Sequence, residues 1–236
     1  MEQRLLAWFA DHRRDLPWRR TRDPYCVLVS EVMLQQTQVP RVIPRYLEWI
    51  ERWPSIQTLA AAPRHEVIRV WQGLGYNRRA VNLHRAAQIV AAEGWPANLA
   101  ELPGVGAYTA AAVRRFAFGE PVLPVDTNVQ RVLDRTDSAF RPEAAEALMD
   151  LGREVCLARV PRCGLCPLGE QCPSRGRRYE PLRKQSRFEG SFRQRRAETL
   201  RLVAAGRTSE LDQDAVASLE RDGLVEVTAG LARLPE

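Results

Sequence analysis

Apolar side chains recur at intervals of three and four residues along most of the chain, a spacing that is typical of amphipathic α-helices. Proline, glycine or short polar clusters separate these segments. No stretch before residue 156 alternates apolar and polar residues as a strand would, so this part is predicted to be all-α. The predicted helices cover residues 2–11, 24–34, 40–52, 64–72, 77–92, 107–118, 127–135 and 142–156.

The C-terminal part of the chain has a different pattern. Residues 173–194 are rich in arginine and poor in apolar side chains, which predicts a basic linker. The pattern of residues 195–236 predicts a small module of two short helices followed by a hairpin, with strands within 223–228 and 230–234. This order of elements resembles a winged helix. Because about forty residues seldom form a core by themselves, we expect this module to pack on the main domain.

Composition adds a basic character to this helical chain. Its 236 residues, 45% of them hydrophobic, suffice for a core in one or two domains. A net charge of +6 and a pI of about 9.4 favour a polyanionic partner, nucleic acid before an anionic membrane, with a merely solvated basic face as the alternative. No apolar run reaches the roughly 18 residues of a membrane span, and the charged N-terminus lacks a signal-peptide core. We therefore expect a cytoplasmic protein with no membrane partner.

Four of the five cysteines lie in one short segment with the spacing C-x6-C-x2-C-x5-C. These residues are Cys156, Cys163, Cys166 and Cys172. Disulfides are unusual in a cytosolic chain, whereas four thiolates in one loop suit a metal. The spacing leaves zinc and a [4Fe–4S] cluster open. Cys26 lies apart on an apolar helix face and is interpreted as a core residue.

A glycine-containing turn separates two of the predicted helices at residues 102–106 (Leu-Pro-Gly-Val-Gly). Gly104 and Gly106 permit positive φ and close approach of an external group, while the next helix directs backbone N–H groups outward. This pattern predicts an anion site, with a plain helix–helix turn as the alternative. The turn has no lysine followed by serine or threonine, so it is not a nucleotide P-loop.

Together these motifs identify a family. The glycine turn, the Val-Asp pair at residues 125–126 and the cysteine spacing resemble the helix-hairpin-helix DNA glycosylases of the endonuclease III superfamily. Three further stretches resemble its MutY-type adenine DNA glycosylases, which remove adenine mispaired with 8-oxoguanine or guanine. They are residues 16–19 (Leu-Pro-Trp-Arg), 30–39 (Ser-Glu-Val-Met-Leu-Gln-Gln-Thr-Gln-Val) and 73–76 (Gly-Leu-Gly-Tyr).

The resemblance runs from about residue 4 to residue 172 and implies a two-lobed fold. A six-helix lobe would cover about 22–130, and the N-terminal helix with 131–172 would form a lobe with the iron–sulfur loop. It thereby favours a [4Fe–4S] cluster over zinc. Full-length members also carry a Nudix-like domain that recognises 8-oxoguanine, for which residues 173–236 are too few.

The resemblance assigns two carboxyl groups to the chemistry. Glu31 matches the acid that protonates the adenine ring, and an apolar setting would let it keep its proton at neutral pH. Its alternative is a solvated helix residue. Asp126 matches the carboxylate that stabilises the cationic sugar, and the alternative or additional role is a helix N-cap.

A tyrosine replaces the lysine of the bifunctional relatives. Tyr108 occupies the position where those relatives carry the lysine that forms a Schiff base and cleaves the strand. The only lysine of the chain, Lys184, lies in the predicted linker. The lysine route to strand cleavage is therefore closed, and a monofunctional glycosylase is predicted, with Tyr108 helping to hold Asp126 or the sugar.

The resemblance also implies contacts with the mispair. Gln36 and Tyr76 match residues that wedge into the duplex, and Thr37 and Leu74 match residues that contact the purine opposite the adenine. Wedging side chains help to offset the stacking that is lost when a base is extruded. Ordinary core packing is the alternative for Leu74 and Tyr76.

A third group of residues would form the adenine pocket. Trp18 and Arg19 match part of its wall, and Glu146 matches a residue that hydrogen-bonds the adenine edge. Core packing is the alternative for Trp18. The chain lacks the extra helix and loop that the family has between residues 135 and 146, so we expect weaker support for the helix after Asp126 and for the cysteine segment.

The sequence as a whole predicts a monofunctional adenine DNA glycosylase of base excision repair. It would act as a monomer, associated with the nucleoid, on double-stranded DNA that contains a mispair or oxidised guanine. A thymine or uracil glycosylase acting on G mispairs is the close alternative. A non-catalytic DNA-damage-binding protein and a zinc-stapled helical DNA-binding module are the others.

Overall fold

A computed structural model of the chain describes residues 1–178 and 187–236. The described residues are mainly α-helical, in agreement with the predicted class. The helices are α1 (Glu2–His12), α2 (Pro24–Leu34), α3 (Val39–Arg52), α4 (Ile56–Ala60), α5 (Arg64–Trp71), α6 (Arg78–Glu93), α7 (Ala107–Phe116), α8 (Thr127–Thr136), α9 (Ala145–Glu154), α10 (Phe192–Ala204) and α11 (Gln213–Arg221). In the described part of the chain, no helix is both long and apolar enough to cross a bilayer.

The observed helices follow the predicted ones with two differences. The short helix α4 was not predicted, because its five residues are too few to display a helical period; a capping box of Ser55 and Thr58 begins it. The segment predicted as one helix over 142–156 begins as a 3-10 turn, Pro142–Ala144, and continues as α9. Proline at the first position of the turn accounts for this tighter start.

The chain divides into two compact units. The first, called the cysteine unit, comprises Met1–Val27 and the described part of Ala107–Lys184. The second, called the Arg79 unit after a buried arginine, comprises Leu28–Gly106 and the described part of Gln185–Glu236. The boundaries expected at residues 172 and 195 stay predictions, as does the role of Lys184, which lies outside the described residues.

The core of the cysteine unit lies between α1, α8 and α9. Leu5 from α1, Val132 from α8 and Leu148 from α9 are fully buried in it. The short connection between α8 and α9 contributes Phe140 and Ala144 to the same core. The connection therefore packs apolar side chains against the core that α8 shares, and the expectation of weaker support for α8 stays a prediction.

The Arg79 unit joins the central helices to the C-terminal module. Helices α10 and α11 are followed by two antiparallel strands, β1 (Glu226–Thr228) and β2 (Leu231–Arg233), which is the predicted order of elements. Ile68 of α5 and Val81 of α6 share a buried cluster with Leu200 of α10 and Leu219 of α11. The module thus completes its core on α5 and α6.

A buried histidine in this unit predicts that its stability depends on pH. Burial of His84 on α6 lowers its pKa below the ordinary value of 6.5. The unfolded chain therefore takes up this proton at a higher pH than the folded protein, so we expect the free energy of unfolding to fall as the pH drops below about 6.5. Urea unfolding at pH 7.5 and pH 5.5 measures the loss. His84→Gln should flatten the dependence and His65→Gln should not; equal slopes in both variants would refute the assignment.

Candidate functional site

Asp126 lies at the N-cap of α8, where backbone and side-chain donors hold its carboxylate. Its Oδ1 accepts hydrogen bonds from the backbone N–H groups of Asn128 (2.9 Å) and Val129 (2.7 Å). Its Oδ2 accepts one from Asn128 Nδ2 at 2.9 Å. The first turn of a helix favours negative charge through its dipole. The N-cap interpretation is thus confirmed, and the half-buried carboxylate has a fixed orientation.

A chain of hydrogen bonds connects this carboxylate to the cysteine segment. Asn128 Oδ1 accepts from Arg131 Nη2 at 3.0 Å. Arg131 Nε donates to the carbonyl of Cys156 at 2.7 Å, and its Nη2 donates to that of Gly152. Arg131 is buried, and burial lowers the pKa of its guanidinium. One arginine therefore ties the helix that Asp126 caps to the backbone of the first clustered cysteine.

The absence of a side chain at Gly152 permits this close approach of α8 and α9. A Cβ at Gly152 would lie 2.8 Å from the carbonyl oxygen of Asn128, closer than such atoms pack. The glycine is fully helical, so space rather than backbone freedom requires it. Any larger residue would separate α9 from the turn that begins at Asp126.

The four clustered cysteines line one cavity of the cysteine unit. All four are partly exposed, and Val132, Leu151 and Leu168 supply apolar walls. Three polar contacts involve the sulfurs, each at 3.3 Å. Arg135 Nη1 donates to Cys156 Sγ, the Gly176 N–H donates to Cys163 Sγ, and the Cys172 thiol donates to the Arg135 carbonyl. The arrangement gathers all four predicted ligands around a single space.

The chemistry of this donor set fits a thiolate-bound metal centre. Burial raises the pKa of Cys166, and the charges of the other three cysteines raise it further. A metal cation would offset this repulsion, since a coordinating thiol loses its proton. Within residues 1–178 and 187–236, no three His, Cys, Asp or Glu side chains are arranged to hold a metal ion as they stand.

Glu31 lies on α2 with about 7% of its surface exposed. This burial excludes the alternative of a solvated helix residue. Val32 and Met33, which follow it on the helix, are also buried. The predicted acid is thus buried in the protein, and its role as a proton donor stays a prediction.

The two glycines of the turn have different roles. Gly104 has φ +78°, and a Cβ there would lie 2.9 Å from Asn82 Cβ, so both conformation and space require glycine. Gln35 Nε2 reaches the Gly104 carbonyl at 3.5 Å. Gly106 has neither a positive φ nor a protein atom within 4 Å of a Cβ. The prediction of special backbone is therefore correct for Gly104, whereas the surroundings of Gly106 are open.

Tyr108 lies in the first turn of α7 and is half-buried. A phenol at this position cannot form a Schiff base. Its relation to Asp126 or to a bound sugar stays a prediction.

Gln36 and Tyr76, the two predicted wedges, are both exposed and both have left-handed backbones. Their φ angles are +57° and +47°. Side chains other than glycine rarely adopt this region, and residues held there cluster at functional sites. Thr37 and Leu74, by contrast, are buried, at 8% and 3% exposure. The Thr37 hydroxyl donates to the Leu74 carbonyl at 3.2 Å. This buried hydrogen bond connects the turn that contains Gln36 to the turn that contains Tyr76.

A buried arginine that the sequence did not reveal holds both strained turns. Arg79 Nη1 donates to the Gln35 carbonyl at 2.6 Å, and Nη2 donates to the Gly75 carbonyl at 2.8 Å. The same guanidinium also donates to four further carbonyl groups and a hydroxyl, those of Val32, Met33, Leu74, Tyr76 and Thr37. Burial lowers the pKa of Arg79 to about 10, so it stays charged at neutral pH.

Replacing Arg79 by methionine should unfold or misplace both turns. The loss leaves the C-terminal carbonyls of α2 and the turn at Gly75 without a donor, at a cost of at least about 3 kcal/mol in free energy of unfolding. Urea unfolding measures this change, and duplex binding tests whether the two exposed turns contribute to DNA contact. Arg85→Met on the same helix removes an exposed arginine as the matched control. Equal stability of the two variants would contradict the role of Arg79.

The residues predicted for the adenine pocket lie in the cysteine unit, and two of them are in contact. Arg19 Nε lies 3.2 Å from Glu146 Oε1. Trp18 precedes Arg19 in the 3-10 turn Pro17–Arg20 and is 8% exposed. Arg19 Nη1 also donates to Asp150 Oδ2 at 2.8 Å. Asp150 was not predicted, because its neighbours one turn away on α9, Glu146 and Glu154, are charged and give this face a solvated character.

Asp150 fixes the arginine of this group. It is fully buried and also binds Arg14 through Nε at 2.7 Å. Its burial would raise its pKa, but the hydrogen bonds from Arg19 and Arg14 outweigh this, and the pKa of Asp150 is lowered. A buried anion therefore anchors Arg19, which in turn contacts Glu146.

Comparison with known proteins agrees with this arrangement. The sequence matches the HhH-GPD superfamily of base excision DNA repair proteins over residues 29–156. The adenine DNA glycosylase of Mycolicibacterium smegmatis is 40% identical, and the match covers 95% of this chain and 92% of the relative. The adenine DNA glycosylase of Mycobacterium tuberculosis H37Rv is 41% identical, over 85% of this chain and 77% of the relative. The human adenine DNA glycosylase is 39% identical, over 79% of this chain and 42% of the human protein.

Solved structures share the fold. A thermostable thymine-DNA glycosylase superimposes with a TM-score of 0.65 and 30% identity, over 73% of this chain and 93% of that one. An endonuclease III trapped in a covalent intermediate with DNA gives 0.61 and 25%, over 73% and 92%. The resemblance drawn from the motifs is confirmed, and the chain belongs to the HhH-GPD superfamily of base excision DNA repair proteins.

Proposed function

We propose that this protein is a DNA glycosylase that hydrolyses the N-glycosidic bond of adenine mispaired with 8-oxoguanine or guanine. The carboxylate of Asp126 carries the proposal, because two backbone N–H groups and Asn128 hold it in one orientation at a helix N-terminus. The relatives named adenine DNA glycosylase, at about 40% identity over most of the chain, support adenine as the base.

The proposed chemistry uses two carboxyl groups in opposite protonation states. Adenine leaves readily only after its ring gains a proton, and the sugar then becomes an oxocarbenium ion. Glu31, buried on α2, donates the proton. Asp126 stays ionised and stabilises the cationic sugar until water attacks.

The reaction stops at base removal. Tyr108 stands where a strand-cleaving relative has its lysine, so no amine is available there to form a Schiff base. The product is therefore an abasic site in an intact strand. Tyr108 would help to hold Asp126 or the sugar.

The partner is double-stranded DNA that contains a mispair or oxidised guanine, bound by a single copy of the chain. The turn at Gly104 and Gly106 would contact the phosphate backbone through its N–H groups. Gln36 and Tyr76 are exposed, and Arg79 binds the backbone carbonyls of Gln35 and Tyr76. The two exposed side chains would enter the base stack. The solved relative bound covalently to DNA supports this class of partner.

The four clustered cysteines would hold a [4Fe–4S] cluster, which would fasten the segment after α9. Zinc is the alternative. Exposed arginines around this segment would then bind DNA phosphates. They are Arg153, Arg159, Arg162, Arg175, Arg177 and Arg178.

Purified protein should contain iron and acid-labile sulfide in equal amounts and show a broad visible absorption band. Cys166→Ala removes one ligand from the cavity, so we expect the iron content and the band to be lost together with thermal stability. Cys26→Ala, outside the cysteine segment, is the control and should keep both. Stoichiometric zinc without sulfide would refute the cluster.

Thymine or uracil excision opposite guanine is the second candidate, favoured by the 30% identity to the thymine-DNA glycosylase structure. Four duplexes separate the candidates, with A opposite 8-oxoguanine, A opposite G, T opposite G and U opposite G. Base release from the first two alone supports the proposal, and release from the last two alone refutes it. Binding without release from any duplex would indicate a non-catalytic damage-binding protein.

A further inference from the structure

A turn from the C-terminal module contacts the exposed Tyr76. Arg193, in the first turn of α10, donates from Nη1 to Tyr76 Oη at 3.1 Å. Both residues belong to the Arg79 unit. The contact joins positions 117 residues apart in sequence, so no local pattern predicts it.

The sequence before α10 builds a compact turn that fixes Arg193. Ser191 caps the helix by accepting from the Gln194 N–H, and its hydroxyl contacts the Phe188 carbonyl. The Gly190 N–H donates to Gln194 Oε1 at 2.7 Å, with Gly190 at φ +71°. These bonds constrain the entry to α10 and hence the direction of Arg193.

The packing of the module sets the position of this turn on the Arg79 unit. Leu200 and Val203, on the buried face of α10, share a cluster with Ile68 and Val81. Arg196 pairs with Asp222 at 2.5 Å within the module, and Asp222 also pairs with Arg78 of α6 at 3.4 Å. Arg193 therefore contacts Tyr76 from a helix whose position is fixed by its packing against α5 and α6.

Tyr76 is held at two points, its ring and its hydroxyl. The Arg79 guanidinium lies 5.7 Å from the ring centroid, a cation–π distance, and Arg193 binds the oxygen. The ring is nevertheless 39% exposed, on a backbone with φ +47°. A side chain fixed at both ends loses less conformational freedom when it enters a base stack than a mobile one does.

We infer that Arg193 is a positioning residue for Tyr76, and that the C-terminal turn belongs to the surface that reads the mispair. The inference rests on the proposed function, because it takes Tyr76 as the residue that enters the duplex. Arg193 acts through the tyrosine hydroxyl, so its removal and the removal of that hydroxyl should have the same consequence. The module thereby contributes to mispair recognition, although it lies far from Tyr76 in the sequence.

A double-mutant cycle tests this coupling. Arg193→Ala, Tyr76→Phe and the double variant are compared for binding to a duplex with A opposite 8-oxoguanine and to a matched duplex. A 2-aminopurine beside the mispair reports unstacking as the wedge enters. We expect each single variant to lose about tenfold in affinity for the mispaired duplex and part of the fluorescence rise, and the double variant to lose no more than either.

Two further variants separate positioning from simple loss of charge or fold. Arg195→Ala removes a neighbouring exposed arginine from the same helix and should bind like the wild type. Arg193→Lys keeps a donor and should recover part of the fluorescence rise. Additive losses in the double variant, or wild-type binding by Arg193→Ala, overturn the inference.

Base release by the wild-type chain is measured in parallel on the same duplex. If the wild type binds but releases no adenine, the proposed function fails, whereas coupling between Arg193 and Tyr76 in binding would still support the inference. If adenine is released and the cycle is additive, the inference alone fails.

Discussion

Asp126→Asn should abolish base release while leaving duplex binding intact. The amide keeps the shape of the side chain and an oxygen that can cap α8, but it has no charge to stabilise a cationic sugar. Loss of electrostatic stabilisation at a reacting centre typically lowers a rate by at least about a hundredfold, and loss of a central catalytic carboxylate by about ten thousandfold. We expect a single-turnover rate at least about a thousandfold lower, with affinity changed by less than about threefold.

The control for this variant lies on the same helix. Asp134→Asn, two turns along α8, changes an exposed carboxyl group that contacts Gln130, and it should react at the wild-type rate. Thermal unfolding of Asp126→Asn checks that the cap survives. Undiminished turnover by a folded Asp126→Asn protein would refute the proposed mechanism.

Arg131→Gln should lower both stability and activity, because it breaks the connection between Asp126 and the cysteine segment. The change leaves the carbonyl groups of Gly152 and Cys156 and the Asn128 side chain without their donor. Buried acceptors that lose a charged donor cost about 1–3 kcal/mol each. We expect the free energy of unfolding to fall by about 3 kcal/mol and base release to slow by about tenfold or more.

The free energy of unfolding and the iron content should both be lower in Arg131→Gln than in the wild type. The reason is that the same side chain orients Asn128 and holds the Cys156 backbone. Arg141→Gln serves as the control, because Arg141 is exposed and pairs only with Glu2 among the ion pairs described. The two variants should differ in stability, metal content and rate. A variant with normal stability and iron content but no activity would show that Arg131 acts on Asp126 alone.

Local patterns accounted for most of the helices. Their apolar period predicted α1, α3, α6 and α8 to within a residue or two, and Asp126 was predicted as an N-cap from its place before a helix. Helix α4 was not predicted, because its five residues form little more than one turn and a helical period needs several turns to be visible. Helix identity is encoded locally, whereas the packing partners are not.

The arginines that organise the candidate site were not predictable in the same way. Arg79 stands in a run of polar residues, Asn-Arg-Arg at 77–79, that has the composition of a solvated helix start. Only the fold brings the end of α2 and the turn at Gly75 around it. Arg131 is similar, because the carbonyls that it binds lie more than twenty residues away. A buried cation is recognisable only when its acceptors are known.

A single-turnover reaction on a duplex with adenine opposite 8-oxoguanine tests directly whether the protein excises adenine by hydrolysis without cleaving the strand. The released base and the DNA strand are analysed before and after alkali. We expect free adenine and a strand that remains intact until alkali breaks it at the abasic site. The absence of free adenine, or strand cleavage without alkali at the rate of base release, would refute the proposed activity.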